Sequence, residues 1–116
     1  MSKVKLYIAV LDEFPDYMVP TLVAHAVLGA HLEFTKVDYN NIVFAQTYYE
    51  DWLYSSFKKC VIRVNEKEFA KIAALPSVYL AHENTTLEGR KSCAVVYPRE
   101  EIPNVLKFAK LWKPKT

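Results

Sequence analysis

The stretch Pro20-Thr-Leu-Val-Ala-His-Ala-Val-Leu-Gly-Ala30, coming after the run Lys5-Leu-Tyr-Ile-Ala-Val-Leu11, decides the fold class. Lys5–Leu11 has strand length and is too unbroken to be half exposed, so it reads as a central strand covered on both faces. Asp12 to Val19 carries Pro15, Asp16 and further acidic residues and reads as a loop. Pro20 suits the first turn of a helix, where a missing N–H is no loss. The helix is expected to reach about Phe34, apolar on almost every side and therefore buried on more than one side. His25 in its middle becomes an imidazole among apolar neighbours, which must find a hydrogen-bond partner or do chemistry. Gly29 weakens the helix by about 1 kcal/mol against alanine, tolerable where a helix closes tightly on a strand.

Working outward, Cys60 to Val64 is a strand, and Asn65-Glu66-Lys67-Glu68 after it is a helix start with Asn65 as N-cap and Glu68 as reciprocal acceptor. That helix runs roughly Glu66 to Leu75, with Phe69, Ile72 and Ala73 on one face, until Pro76 stops it. Val78 to Ala81 is a short strand, His82 to Lys91 a polar loop, and Ser92 to Tyr97 a further strand. Pro103 opens a last helix expected to reach about Trp112, with Val105, Leu106, Ala109 and Trp112 on one face. Thr35 to Lys59 is the least regular part. Asn40–Asn41 suggests a turn, Ile42 to Gln46 a short edge strand and Tyr48 to Phe57 a short amphipathic helix. The segment gathers Tyr39, Phe44, Tyr48, Tyr49, Trp52, Tyr54 and Phe57. Strands interleaved with helices predict a layered α/β fold in a single domain. The short connection between the third and fourth strands makes that pair antiparallel, so the sheet is expected to be mixed.

At 116 residues and 52% hydrophobic content, with 2 glycines, the chain can bury one core and is neither disordered nor fibrous. A net charge of +2 is too balanced to demand duplex DNA or a membrane surface as a partner. Positive charges do gather at Lys58–Lys59, Arg90–Lys91 and Lys107 to Lys115, where they could meet phosphates or simply be solvated. Cys60 and Cys93 each lie in a strand-like apolar run and read as reduced, buried thiols of a cytoplasmic protein, since the N-terminus has no signal-peptide pattern. No apolar run approaches the ~20 residues of a membrane span.

Three constellations could carry chemistry. His25 is the first, either a satisfied core histidine or a base. His82-Glu83-Asn84, with Thr85, Thr86 and Arg90, is the second; it follows a strand, where α/β folds bind ligands, and hydroxyls beside a guanidinium make an oxyanion or phosphate clamp. The aromatic segment is the third: its rings can form a satellite core, anchor a protein interface or stack on nucleobases. No metal site is expected, because His82-Glu83 lacks a second pair at ligand spacing and the cysteines lack a CxxC arrangement. No Gly-x-Ser-x-Gly and no glycine-rich phosphate loop is present, which excludes a Walker-type site and a dinucleotide fingerprint, and no cofactor is implied.

The buried strand followed by Ala24-His25-Ala26-Val27-Leu28-Gly29-Ala30 resembles the type 2, archaeal and eukaryotic, peptidyl-tRNA hydrolases, in which a comparable helix carries His-Ala-x-x-Gly. The likeness continues in order through Lys59–Val64, Asn65–Leu75 and Ala94–Pro98 to the last helix. It implies a mixed four-stranded sheet with helices on both faces, a homodimer, and hydrolysis of the ester between a peptide and the 3′ end of tRNA. It also implies a site of a lysine ahead of the helix, a histidine on or near it and an aspartate after the third strand. Here Val19-Pro20-Thr21 stands where the family has Gly-Lys, so the lysine is missing; Leu22 replaces a glutamine, and Glu83-Asn84-Thr85-Thr86 corresponds loosely to Asp-Ala-Gly-x-Thr. Ester hydrolysis needs a positioned water, a base and an oxyanion donor. His25 and Glu83 would be base and orienting partner, with Thr85, Thr86 or Arg90 as donor. The expected ligand is nucleotide-like or a tRNA 3′ end, held by His82, Asn84, Thr85, Thr86 and Arg90, with Tyr48 or Trp52 as a wall.

Overall fold

A computed structural model of the chain describes residues 4–35, 48–83, 90–99 and 101–114. Strand β1, Lys5–Leu11, leads through a 3₁₀ turn, Asp16–Met18, into helix α1, Val19–Phe34. Helical backbone at 48–51, α2, runs directly into a π-helical turn, Trp52–Ser56, which delivers the chain to β2, Lys58–Val64. Helix α3, Glu66–Ala73, the hairpin of β3, Val78–Glu83, and β4, Arg90–Arg99, then α4, Asn104–Lys107, and β5, Lys110–Leu111, complete it. The Asn40–Asn41 turn and the Ile42 to Gln46 strand lie outside the described residues, as do Tyr39 and Phe44.

The sheet is mixed, in the order β3-β4-β1-β2-β5. β1 and β2 are parallel, β4 is antiparallel to both β1 and β3, and β5 is antiparallel to β2. β1, β2 and β3 therefore point the same way. β1 is buried on both faces, with Leu6, Ile8, Ala9 and Val10 almost wholly hidden. Both α1 and α3 lie over β3 and β4, which requires them to take opposite faces of the sheet.

Five strands stand where four were expected. The last helix ends at Lys107 instead of near Trp112, and Lys110–Leu111 turns back along β2. Leu106 is the one fully buried residue of α4, with Val105 partly buried beside it, a short apolar face for a longer helix. The outer edge of β2 offers unpaired peptide groups instead, and the Trp112 N–H donates to Val61 O at 2.9 Å. The hairpin is also longer than expected: β3 continues through His82 and Glu83, and β4 begins at Arg90. Pro98, which has no N–H, sits buried where β4 bulges. Lys5 pairs with Arg99 and Tyr7 with Val96, so β4 spends three residues where β1 spends two.

The capping box is formed as read. Asn65 Oδ1 accepts from the Glu68 N–H at 2.8 Å, and the Asn65 N–H donates to Glu68 Oε1 at 2.9 Å. Phe69 and Ile72 pin the helix to the sheet. Asn65→Ala is expected to lower stability by about 1 kcal/mol, seen as a shift in urea midpoint at unchanged slope; no shift would mean that packing alone sets where α3 starts.

Candidate functional site

The parallel strands end at one edge, where β1, β2 and β3 hand over to Asp12–Met18, Asn65 and the hairpin. There Arg90 is ion-paired with Glu13, and its guanidinium covers the Phe14 ring at 5.5 Å. Arg63 reaches Asp16 Oδ1 at 3.4 Å, donates to Lys113 O and lies 5.2 Å over the Trp112 ring. Both arginines at this edge are thus matched by carboxylates, and an incoming anion would have to displace one. β pairing brings His82 beside Lys91 and Glu83 beside Arg90. Asn84, Thr85 and Thr86 lie outside the described residues.

His25 is exposed, contrary to the burial expected of it. The reason is that α1 buries a single stripe, Val19, Leu22, Ala26 and Ala30. His25 precedes Ala26 and so points about 100° further round the axis, with exposed Leu28 and Leu32 on the outer side. The helix is apolar nearly all round yet covered on one side only. Among the described residues His25 has no hydrogen-bond or ion-pair partner.

Tyr48 and Trp52 stand at the other end of the sheet. Tyr49 and Phe34 both pack on Tyr97, near the end of β4, whereas His82 and Arg90 flank its start. Arg90 and Tyr97 are seven residues apart along β4, or ~23 Å at strand rise. The expected single pocket, with Tyr48 or Trp52 as a wall beside His82 and Arg90, is therefore not assembled. Trp52 is 2% exposed and is a core residue; its Nε1 donates to Lys58 O at 2.7 Å.

Around Trp52 the far end is built of rings. Tyr49 packs on Trp52 at 5.4 Å and on Tyr97 at 5.9 Å, and the Tyr49 hydroxyl is bonded to His31 Nδ1 at 2.8 Å. Burial raises the hydroxyl pKa of both Tyr49 and Tyr97, with their mutual repulsion adding to Tyr49, so both remain phenols at neutral pH. Burial likewise pushes the Cys93 thiol up to about 12, against a smaller opposing hydrogen bond from Ser92, which removes it as a nucleophile. Both cysteines are free; Cys93 is buried as expected, while Cys60 is only half-buried. Among the described residues no three metal-ligating side chains gather, and no helix is long and apolar enough to cross a membrane.

The outer surface of this end has a different character. Tyr54 is 82% exposed and Phe57 53%, and Tyr48 is exposed as well. Phe57 closes the π-helical turn in the left-handed region, φ 54°, a conformation that a bulky side chain seldom takes. Its ring stacks against Trp52 at 5.2 Å, and Lys59 Nζ sits 3.2 Å from its centre. Lys58 and Lys59 are exposed, and among the described residues no carboxylate lies within ion-pair distance of either. The sequence signals for this surface were the Lys58–Lys59 pair and the ring-rich segment. Its distinction between buried Trp52 and Tyr49 and displayed Tyr54 and Phe57 was not visible there. A scan of protein-family models and a search of curated proteins each find no match to this chain.

Proposed function

We propose that this chain is a binding protein, built on an architecture resembling the type 2 peptidyl-tRNA hydrolases, that takes a nucleotide-like ligand or the single-stranded 3′ end of a tRNA without hydrolysing it. The observation that carries the reading is the display of Tyr54 and Phe57 beside Lys58 and Lys59, lysines with no carboxylate partner among the described residues. Tyr54, and the part of Phe57 that Lys59 leaves open, offer ring surface to bases, and the Lys58 ammonium offers a site for a phosphate; each stacked base is worth ~1–3 kcal/mol. The ring at Phe57 is kept at a backbone position that favours glycine, and such local strain tends to gather at functional positions. Protein anchoring would use the same rings, but two adjacent exposed lysines, of which Lys59 donates to Phe57 O at 2.8 Å and keeps its charge, favour a polyanion. Against hydrolysis stand the exposure of His25, which has no partner among the described residues, and the missing lysine ahead of α1.

The test is a fluorescence titration with a short oligonucleotide of tRNA 3′-end sequence, read from Trp52 under Phe57. Wild type is expected to bind, and Tyr54→Ala with Phe57→Ala to weaken binding at least tenfold while the melting curve stays cooperative. His25→Ala is expected to bind like wild type, and neither protein to release peptide from peptidyl-tRNA. Equal binding by the double variant, or peptide release that His25→Ala abolishes, would replace this reading with protein anchoring or with the hydrolase.

A further inference from the structure

The structure assigns a phosphate track to the row Arg99, Lys5 and Lys58, so that the site takes a single strand of several nucleotides in place of a lone nucleotide. This rests on the binding reading above and extends it. Sheet register sets the three cations abreast: Lys5 pairs with Lys58 on one side and with Arg99 on the other. Neighbouring strands are ~4.8 Å apart, so the row spans ~10 Å on one face of the sheet. Like charges directly opposite one another destabilise a sheet. Among the described residues no carboxylate is within ion-pair distance of any of the three. The Arg99 contact is a carbonyl, Pro76 O at 2.9 Å, which aims the guanidinium and leaves its charge unneutralised.

Protection of a sheet edge explains lysines on outer strands. It accounts for Lys58 and Lys59 on the part of β2 that β5, paired only at Ile62 and Arg63, leaves open, but not for Lys5, because β1 lies between β4 and β2. The row also joins the rings. Lys58 ends it on one face, and the next residue, Lys59, turns to the other face and covers Phe57. Tyr7, one pleat beyond Lys5 on the same face, is half-buried against the core and closes that end of the row. A strand whose bases stack on Phe57 and Tyr54 would therefore carry its phosphates round the end of the sheet and along the row.

The experiment compares uridine monophosphate with uridine oligomers of three, six and twelve units at several salt concentrations, using the full chain. Matched deoxyribose oligomers separate RNA from DNA, and a heparin fragment serves as a polyanion without bases. The hexamer is expected to bind at least tenfold tighter than the monophosphate and more tightly than heparin. Lys5→Gln, Lys58→Gln and Arg99→Gln should each lower the log–log salt slope by ~0.7, and Lys5→Gln and Arg99→Gln, which stand outside the ring–lysine surface, should leave monophosphate binding unchanged. Lys110→Gln, on β5, should alter neither. A hexamer no tighter than the monophosphate, an unchanged slope in the three variants, or equal binding of heparin overturns the track while the nucleotide reading stands. Absence of binding by every nucleotide overturns both.

Discussion

Trp52→Ala is expected to lower the stability of the protein by about 3–5 kcal/mol, the largest effect of any single truncation at the ring-rich end. Trp52 is 2% exposed and is among the largest fully buried side chains. It touches both Tyr49 and Phe57, so its removal takes away a ring on which both pack. Truncation also strips the carbonyl of Lys58 of its 2.7 Å donor at the first residue of β2. Trp52→Phe keeps most of the volume and loses the donor, and should cost about 1–2 kcal/mol. Chemical denaturation followed by circular dichroism measures both. A loss below about 1.5 kcal/mol for alanine would mean that the π-helical turn packs loosely and cannot hold Phe57 in place for a ligand. Binding should fall with stability in the alanine variant and survive in the phenylalanine one, which separates the scaffold role of Trp52 from the contact role of Phe57.

Gly29→Leu is expected to destabilise by about 3 kcal/mol, and Gly29→Ala by less, since alanine recovers about 1 kcal/mol of helix propensity. A Cβ at position 29 would stand 2.7 Å from Cζ and 2.8 Å from Cε2 of Tyr79, and closer still to the hydroxyl. The approach of α1 to β3 is thus set by the absence of a side chain at Gly29, with buried Ala26 and Ala30 flanking it. Shortening the ring should release the constraint. In a Tyr79→Leu background Gly29→Ala is expected to be neutral or stabilising, a coupling of about 1 kcal/mol or more in a double-mutant cycle. Simple additivity of the two substitutions would show that α1 can lift from the sheet without loss.

Several elements were legible because their signals are local. The burial of β1 on both faces followed from an unbroken apolar run, and the start of α3 from Asn65 and Glu68 three residues apart. The antiparallel pairing of β3 with β4 followed from a connection too short for a crossover. What failed had a shared cause. Composition made α1 look buried all round, but a helix is covered only where a partner exists, and the sheet covers one stripe. His25 therefore moved from an apolar interior to the surface, and with it went the first reason to think it catalytic. The last helix likewise yielded to β5 because an open strand edge lay within reach, which no window around Lys110 could reveal.

The candidate site divides in the same way. Ring-rich composition between Tyr48 and Phe57 and the Lys58–Lys59 pair marked a region worth attention, and they remain its centre. Which rings support and which are displayed depended on the turn that sinks Trp52 and lifts Phe57. By itself the sequence determined a layered α/β chain with a mixed sheet, since periodicity, caps and connection lengths act over a few residues. Only the tertiary structure decided that Arg99, Lys5 and Lys58 stand side by side and that His25 looks outward. Register and facing are set by hydrogen bonds and packing between segments far apart in the chain, whose free energies no local pattern encodes.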